Sequence, residues 1–565
     1  MKFDQMEYRR IPIEEYTRDF EKVLAAFTGA RDAAGQLDAV REYFRLHDRF
    51  STMYNLTYIR HTGNTADKFY SDENDYYDEN MPRFEELENR FHRALTGSAF
   101  RPELEKALGT LLFRNAEIDQ RAFDPKLIDD MAEENRLRSR YQKLVASAQI
   151  PFDGKTLNVS QLGFYMTSPD RQVRREAYAA RTGFFLPHGE ELDEIYDKLV
   201  KCRTAQARKL GYRDFVELGY LRRRRNCYTA QDVAAFRRMV KEQIVPLSRR
   251  LAEEQRKRLG VERLAFCDEG TLFPHGNPRP QGTPEQIFEN GRRMYRELSP
   301  QTGEFFDFML ENNLFDVLGR AGKAAGGYCT EIADYKSPFI FANFNGTTDD
   351  INTLTHEAGH AFQYYMSRDI YPSDYVFPTL DACEIDSMSM EFFTWPWMEL
   401  FFGKQADQYR YMHLAGALTF LPYGCAVDEF QHIVYEKPDM TPAARKEVWK
   451  DLEAQYLPVV DYEGDRFFGA GCRWQRQLHI YEEPFYYIDY CLAQTCALEF
   501  WAMAQKDQPD AWGRYTQLCS LGGKDTLTGL IDRVGLQSPF APGCLATVAQ
   551  AADRWLADFD PAKLR

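Results

Sequence analysis

A mainly α fold, with a small β-sheet set beside one histidine-bearing helix, is predicted by three features of this 565-residue chain. Apolar residues recur at three- and four-residue spacing between charged ones, as in EELDEIYDKLVKCRTAQARKL (190–210) and AAFRRMVKEQIVPLSRRLAEEQRKRL (234–259), the pattern of helices that each bury one stripe. Alternating strand patterns are scarce. FPHGNPRPQGTPEQ (273–286) is too rich in Pro and Gly to continue either period and reads as a loop between two helical halves, 1–270 and 271–565. No internal repeat or low-complexity tail is evident, which disfavours a solenoid or a disordered interaction protein.

The formal net charge of -15 and a pI near 5.3 argue against nucleic acid or anionic lipid as partners, since both require a basic surface. No apolar run is long enough to span a bilayer, and MKFDQMEYRRIPIEEY lacks a signal-peptide core. The 11 cysteines are scattered singly, with no CxxC pair, as expected of small core residues in a reducing compartment. A soluble, cytoplasmic protein is expected.

The short strand is read at Ser337–Phe344, closed by Asn345-Gly346. Pro338 lacks an amide donor and fits best at the start of an edge strand. Such an edge, with Phe341, Ala342 and Asn343, offers a surface on which an extended peptide backbone can pair.

From Thr347 onward, TTDDINTLTHEAGHAFQYYMS reads as one helix, with Thr347 or Thr348 as N-cap and Asp349 and Asp350 complementing the dipole. Ile351, Leu354, Ala358, Ala361 and Tyr365 form its buried stripe. His356 and His360, four apart, project together and can hold one zinc ion, while Glu357 can reach a metal-bound water as general base. Two ordinary histidines on an amphipathic helix are the plain alternative; HExxH arises by chance in about one or two chains of this composition in a hundred. The motif therefore needs a third ligand. Glu384, on the next predicted helix and 28 residues after His356, is the candidate. Glu391, two turns further on, points to the same side and can orient a ligand imidazole.

With its downstream segment Glu384-Ile-Asp-Ser-Met-Ser-Met-Glu391, the His356-Glu-Ala-Gly-His360 motif resembles the M3 metallopeptidases, above all the oligoendopeptidase F and Pz-peptidase branch. The similarity runs through most of the chain and is strongest from about 320 to 500. Gly326-Gly327-Tyr328-Cys329 resembles the branch's approach to the active site, where an edge strand lies along the substrate cleft. His479-Ile-Tyr481-Glu-Glu-Pro-Phe485-Tyr486-Tyr487-Ile-Asp-Tyr490 resembles the segment that faces the zinc. His479, Tyr486 and Tyr490 are the residues selected there, with Tyr481 and Tyr487 as competitors. What the resemblance implies is a zincin-like catalytic region at 271–565, a helical lobe at 1–270, and a channel between them. Zinc at the channel floor would cut short unfolded peptides.

A zinc exopeptidase and a peptide-binding protein with a structural metal are the rival readings. A dedicated cationic residue for a peptide terminus would favour the first. A fourth protein ligand would favour the second, but Cys383 adjoins Glu384 and points about 100° away from it on a helix. The other histidines (47, 61, 92, 188, 275, 413 and 432) show no ligand spacing and are read as surface or satisfied core residues. Arg222-Arg223-Arg224-Arg225 is read as a solvated face or an internal salt-bridge set rather than an anion site.

Overall fold

The computed structural model describes residues 1–320, 322–324, 326–458 and 460–564. Helices dominate, and their starts follow from the sequence. Thr229 and Thr283 each form a capping box with the residue three positions on, and Pro284 stands in the first turn where its missing amide is harmless. The Pro/Gly-rich stretch is a loop as expected, ending at Thr283 where the Pro284–Leu298 helix begins. None of the described helices is long and apolar enough to cross a membrane.

Buried apolar side chains form two clusters. The smaller gathers residues from the helices between Ile13 and Ala122, joined by Tyr375, whose hydroxyl accepts from the Leu112 amide at 2.8 Å. The larger takes in residues from both sides of position 270, through to Ala552. The candidate site motifs lie on helices Asp349–Ser367, Leu380–Phe393 and Leu478–Glu482 and at the start of Tyr487–Ala504, all packed into this larger core.

Besides the hairpin of β1 (Ile150–Phe152) and β2 (Lys155–Leu157), one sheet of three strands is present: β3 (Phe315–Leu318), β4 (Tyr328–Ile332) and β5 (Ser337–Phe344), in the order β3-β5-β4. This corrects the edge-strand expectation for 337–344. β5 is central, parallel to β3 and antiparallel to β4, so the backbone at Phe341 already has Asp316 on one side and Tyr328 on the other. Phe341 and Ala342 are buried, and the Asn343 amide donates to the carbonyls of Ala324 and Gly326 at 2.9 Å each. These residues build the sheet and its adjoining loop; the edge strands are β3 and β4.

Pro338 is tolerated at the centre because of where β3 stops. The Ile340 amide bonds the Leu314 carbonyl, so the alternation would aim a residue-338 amide at the carbonyl of Asn312. That carbonyl instead accepts from the Phe3 amide at 2.9 Å, and no donor is missed. On its other side Pro338 stands opposite Glu331, in a pair that makes no cross-strand hydrogen bonds, so the Glu331 backbone faces outward. Its carbonyl accepts from the Asn55 amide at 2.9 Å. Two residues earlier the same alternation turns the Cys329 backbone to the free edge.

The Asp349–Ser367 helix begins as expected, but its cap differs. The Thr348 hydroxyl donates to the Pro278 carbonyl and Thr347 to Asn345, so neither caps the helix. Asp350 supplies the turn by accepting from the amides of Asn345 and Gly346, both at 2.8 Å. Ile351, Leu354, Ala358 and Ala361 are fully buried; Tyr365 is only half-buried, its hydroxyl donating to Glu304.

Candidate metal centre and active site

Two helices must lie very close for a side chain on one to meet two histidines on the other. Gly359 makes this possible: a Cβ there would lie 2.6 Å from Ser387 Cα and 2.7 Å from the Asp386 carbonyl oxygen. At this crossing Glu384 reaches across, its Oε2 lying 3.3 Å from His356 Nε2 and 3.4 Å from His360 Nε2. One ligand atom from each of the three residues falls within 4.8 Å of the others. A tetrahedral zinc ion with bonds of about 2.1 Å separates its ligand atoms by about 3.4 Å, so the donor set fits such an ion.

Each of these side chains is held by a second contact. His356 Nδ1 bonds Glu391 at 2.7 Å, and the other Glu391 oxygen bonds His413 Nε2 at 2.6 Å. The Trp395 indole donates to His413 Nδ1 at 3.1 Å, which leaves the His413 proton on Nε2. Glu391 thus accepts on both oxygens and leaves His356 Nε2 facing Glu384. Burial alone would raise the Glu391 pKa, but hydrogen bonds from His356 and His413 outweigh it and bring it to about 2. His360 Nδ1 lies 3.3 Å from Cys383 Sγ. Glu384 accepts from the Ser387 hydroxyl at 3.0 Å on Oε2 and from the Tyr486 hydroxyl at 2.7 Å on Oε1.

Glu357 is buried between this cluster and the sheet. Burial raises its pKa above the usual glutamate value against the lowering pull of His356 and His360. Gly327, at the entrance to β4, is its neighbour: a Cβ at that position would lie 3.3 Å from Thr353 Cγ2, 3.4 Å from the Phe341 carbonyl oxygen and 3.6 Å from Glu357 Oε1. Tyr328 packs flat on Phe341, and its hydroxyl meets that of Thr62 at 2.7 Å.

The 479–490 segment closes the opposite side. Tyr486 and Tyr490 stand ring to ring with centroids 4.9 Å apart, and His479 lies 6.0 and 5.8 Å from them. Of the competitors, Tyr481 is wholly buried, stacked on Tyr141 at 4.0 Å, and belongs to the core. Tyr487 is half-buried; its ring packs on Phe420 and Tyr423 and also lies 4.9 Å from His479, so it stays within the cluster. Burial lowers His479 to about 4, so its imidazole is neutral at pH 7. Its Nδ1 accepts from the Gln477 amide at 2.8 Å, while the Gln477 oxygen accepts from Tyr423 at 2.9 Å. The proton is therefore on Nε2. Burial also raises the phenols of Tyr486 and Tyr490, which remain hydrogen-bond donors.

The arginine run is an internal salt-bridge set, and two of its members brace this segment. Arg223 pairs with Glu483 and lies over the Tyr486 ring at 5.4 Å; Arg225 donates to the Phe485 carbonyl and, at 2.7 Å, to Asp489. Phe485 needs such support, because its φ of 65° is the left-handed conformation that bulky residues avoid. Gly219 leaves room for its ring, since a Cβ there would lie 2.5 Å from Phe485 Cδ2.

His413 is satisfied in the core, as expected of it, but its partner ties it to the site. It, Trp395, Gln477 and Tyr423 are the members that sequence reasoning missed. His413 and Tyr423 reach the site from the Ala406–Glu436 helix and so carry no spacing signal; Gln477 and Trp395 adjoin His479 and Glu391 in sequence, but nothing local marks what they bond.

Family models match most of the chain: "Peptidase M3 N-terminal domain" covers residues 3–123 and "Peptidase family M3" residues 302–549. A structure solved under the name oligoendopeptidase F is 53% identical over 99% of both chains, with a TM-score of 0.96. Pz peptidase A, solved with an inhibitor, is 49% identical over 100% of both chains, with a TM-score of 0.97. Oligopeptidase PepF of Bacillus subtilis (strain 168) is 23% identical over 258 residues, a match spanning 43% of this chain and only 37% of PepF. The chain belongs to peptidase family M3, in the branch of oligoendopeptidase F and Pz peptidase.

Proposed function

We propose that the protein is a zinc-dependent oligoendopeptidase, hydrolysing internal bonds of short unfolded peptides in a channel between the lobes 1–270 and 271–565. The observation that carries this reading is the meeting of three ligand atoms, from His356, His360 and Glu384, beside the buried Glu357 carboxylate and the free edge of β4. Zinc held by the three side chains would supply a Lewis acid and a water of lowered pKa.

The chain's own residues do the rest. An extended peptide pairs with the outward-facing backbone of Cys329, and Gly327 leaves space for it next to Glu357. Glu357 accepts the proton of the attacking water and passes it to the leaving amine. Negative charge then develops on the former carbonyl oxygen. Tyr490 and the Nε2–H of neutral His479 donate to it, while Tyr486 holds Glu384 in place. Loss of one oxyanion donor lowers turnover about a hundredfold.

The test is cleavage of an internally quenched peptide blocked at both ends, with Glu357→Gln in parallel. Wild-type cleavage of an internal bond, lost in a variant that retains its zinc, supports the proposal. Cleavage of free-ended peptides only would replace it with the exopeptidase reading.

A further inference from the structure

A cavity of about 860 Å³ adjoins the metal site, with Asn352, Met388, Glu391 and His413 in its wall. Arg181, from the Arg171–Phe185 helix of the N-terminal half, also lines it. The other guanidinia around the cavity are engaged or exposed: Arg473 pairs with Glu269 at 2.7 Å, Arg258 donates to the Leu272 carbonyl at 2.6 Å, and Arg279 lies in solvent. Arg181 differs from them. Among the described residues its side chain has no carboxylate partner, and its Nε is closed off from solvent with no acceptor. The guanidinium carbon lies 4.8 Å from the centre of the Tyr178 ring, and Glu269 on the same wall is already paired with Arg473.

An unpaired guanidinium in a partly enclosed wall is costly, and folded proteins usually provide it with an acceptor. Burial, with the nearby charges of Arg476 and Arg473, lowers Arg181 to about 9, so the group is still charged at neutral pH. The planar fork of an arginine matches a carboxylate through two parallel hydrogen bonds. In a peptidase that takes peptides, the anions brought into this cavity are carboxylates.

We propose that Arg181 binds a carboxylate of the bound peptide, either its free C-terminus or an acidic side chain. The inference rests on the peptidase reading, but its test requires no turnover. Binding of N-terminally labelled peptides is measured on zinc-loaded full-length Glu357→Gln protein, with and without Arg181→Gln. One pair of neutral peptides differs only in a C-terminal acid or amide; a second pair, blocked at both ends, differs only in one Glu or Gln.

At least one pair is expected to bind about tenfold or more tightly in its acidic form, as a charge-assisted contact would give. The preference should collapse to about twofold or less with Arg181→Gln, and the pair that responds identifies the source of the carboxylate. Arg181→Lys, which keeps the charge but loses the fork, should retain only part of it. Equal affinities within both pairs, or a preference that survives Arg181→Gln, overturns the proposal. If Arg181→Gln does not fold, an undiminished preference in Arg181→Lys overturns it equally. Failure of the wild type to cut peptides would count against the proposed function and leave this result standing.

Discussion

Gly359→Ala tests the idea that helix proximity, rather than ligand identity alone, makes the metal site. The added methyl would lie 2.6 Å from Ser387 Cα and 2.7 Å from the Asp386 carbonyl, both backbone atoms that no rotamer change can move. Ordinary contact begins near 3.4 Å, so the helices must separate by about 0.8 Å at the crossing. Glu384 is one turn from Ser387 on the same helix and takes most of that shift. Metal–ligand bonds tolerate about 0.2 Å, so the displacement is several times what the site can absorb. Overpacking of this kind destabilises by about 1–3 kcal/mol, and a misplaced ligand should weaken zinc about 10- to 100-fold. Zinc affinity, measured by competition with a chromogenic chelator, and thermal unfolding of the metal-free protein are the two readouts. Gly183→Ala is the control: a Cβ there meets nothing within 4 Å, and it should be neutral or stabilising by about 0.5–1 kcal/mol. Unchanged zinc affinity and stability in Gly359→Ala would refute the reasoning.

His413→Ala removes one of two donors to Glu391 and should weaken zinc about tenfold, with activity recovering as zinc is raised; activity that excess zinc cannot restore would contradict this role. Tyr423→Phe frees the Gln477 amide and with it the His479 tautomer; kcat should fall several-fold with KM little changed, and an unaltered kcat would count against the relay. Glu134→Gln disrupts a buried cluster with Arg203 and Arg222 and should destabilise by about 3 kcal/mol near neutral pH. Burial opposes ionisation of Glu134, but the two arginines hold its pKa far below the ordinary 4.5. The stability is thus complete above about pH 4.5 and is lost as pH falls toward the folded-state value; unfolding midpoints should keep a constant gap from pH 8 to 5 and converge only in acid. A gap that closes between pH 8 and 6 would show that another group carries it.

What the sequence reveals of this site follows the range of the interactions involved. His356 and His360 share a face because four residues make about one helical turn, and the reach of Glu384 follows from a turn and a second helix between them. The contacts of Glu391 with His413, and of Gln477 with Tyr423, join residues 22 and 54 apart on different elements, and no local period encodes them. Pro338 shows a local rule giving a wrong answer. A missing amide does argue for an edge, but the rule refers to a hydrogen-bonding position rather than a whole strand. Here the neighbouring strand has ended, and Phe3, more than 300 residues earlier, takes the spare carbonyl.

The arginine run carries the same point into the active site. As sequence, Arg222–Arg225 is four charges in an acidic chain; in the fold, Arg223 and Arg225 grip Glu483, Phe485 and Asp489, some 260 residues on. Phe485 sits in a left-handed conformation directly before Tyr486, so the direction of that phenol depends on a strained peptide that arginine, Gln431 and the space above Gly219 keep in place. The strain is local and its restraints are distant. Loss of Arg225 should therefore be felt twice, as a misdirected Tyr486 and as about 3 kcal/mol or more of lost stability, because the guanidinium holds backbone on one side of the tyrosine and on the other pairs with Asp489, which would be left buried and unpaired.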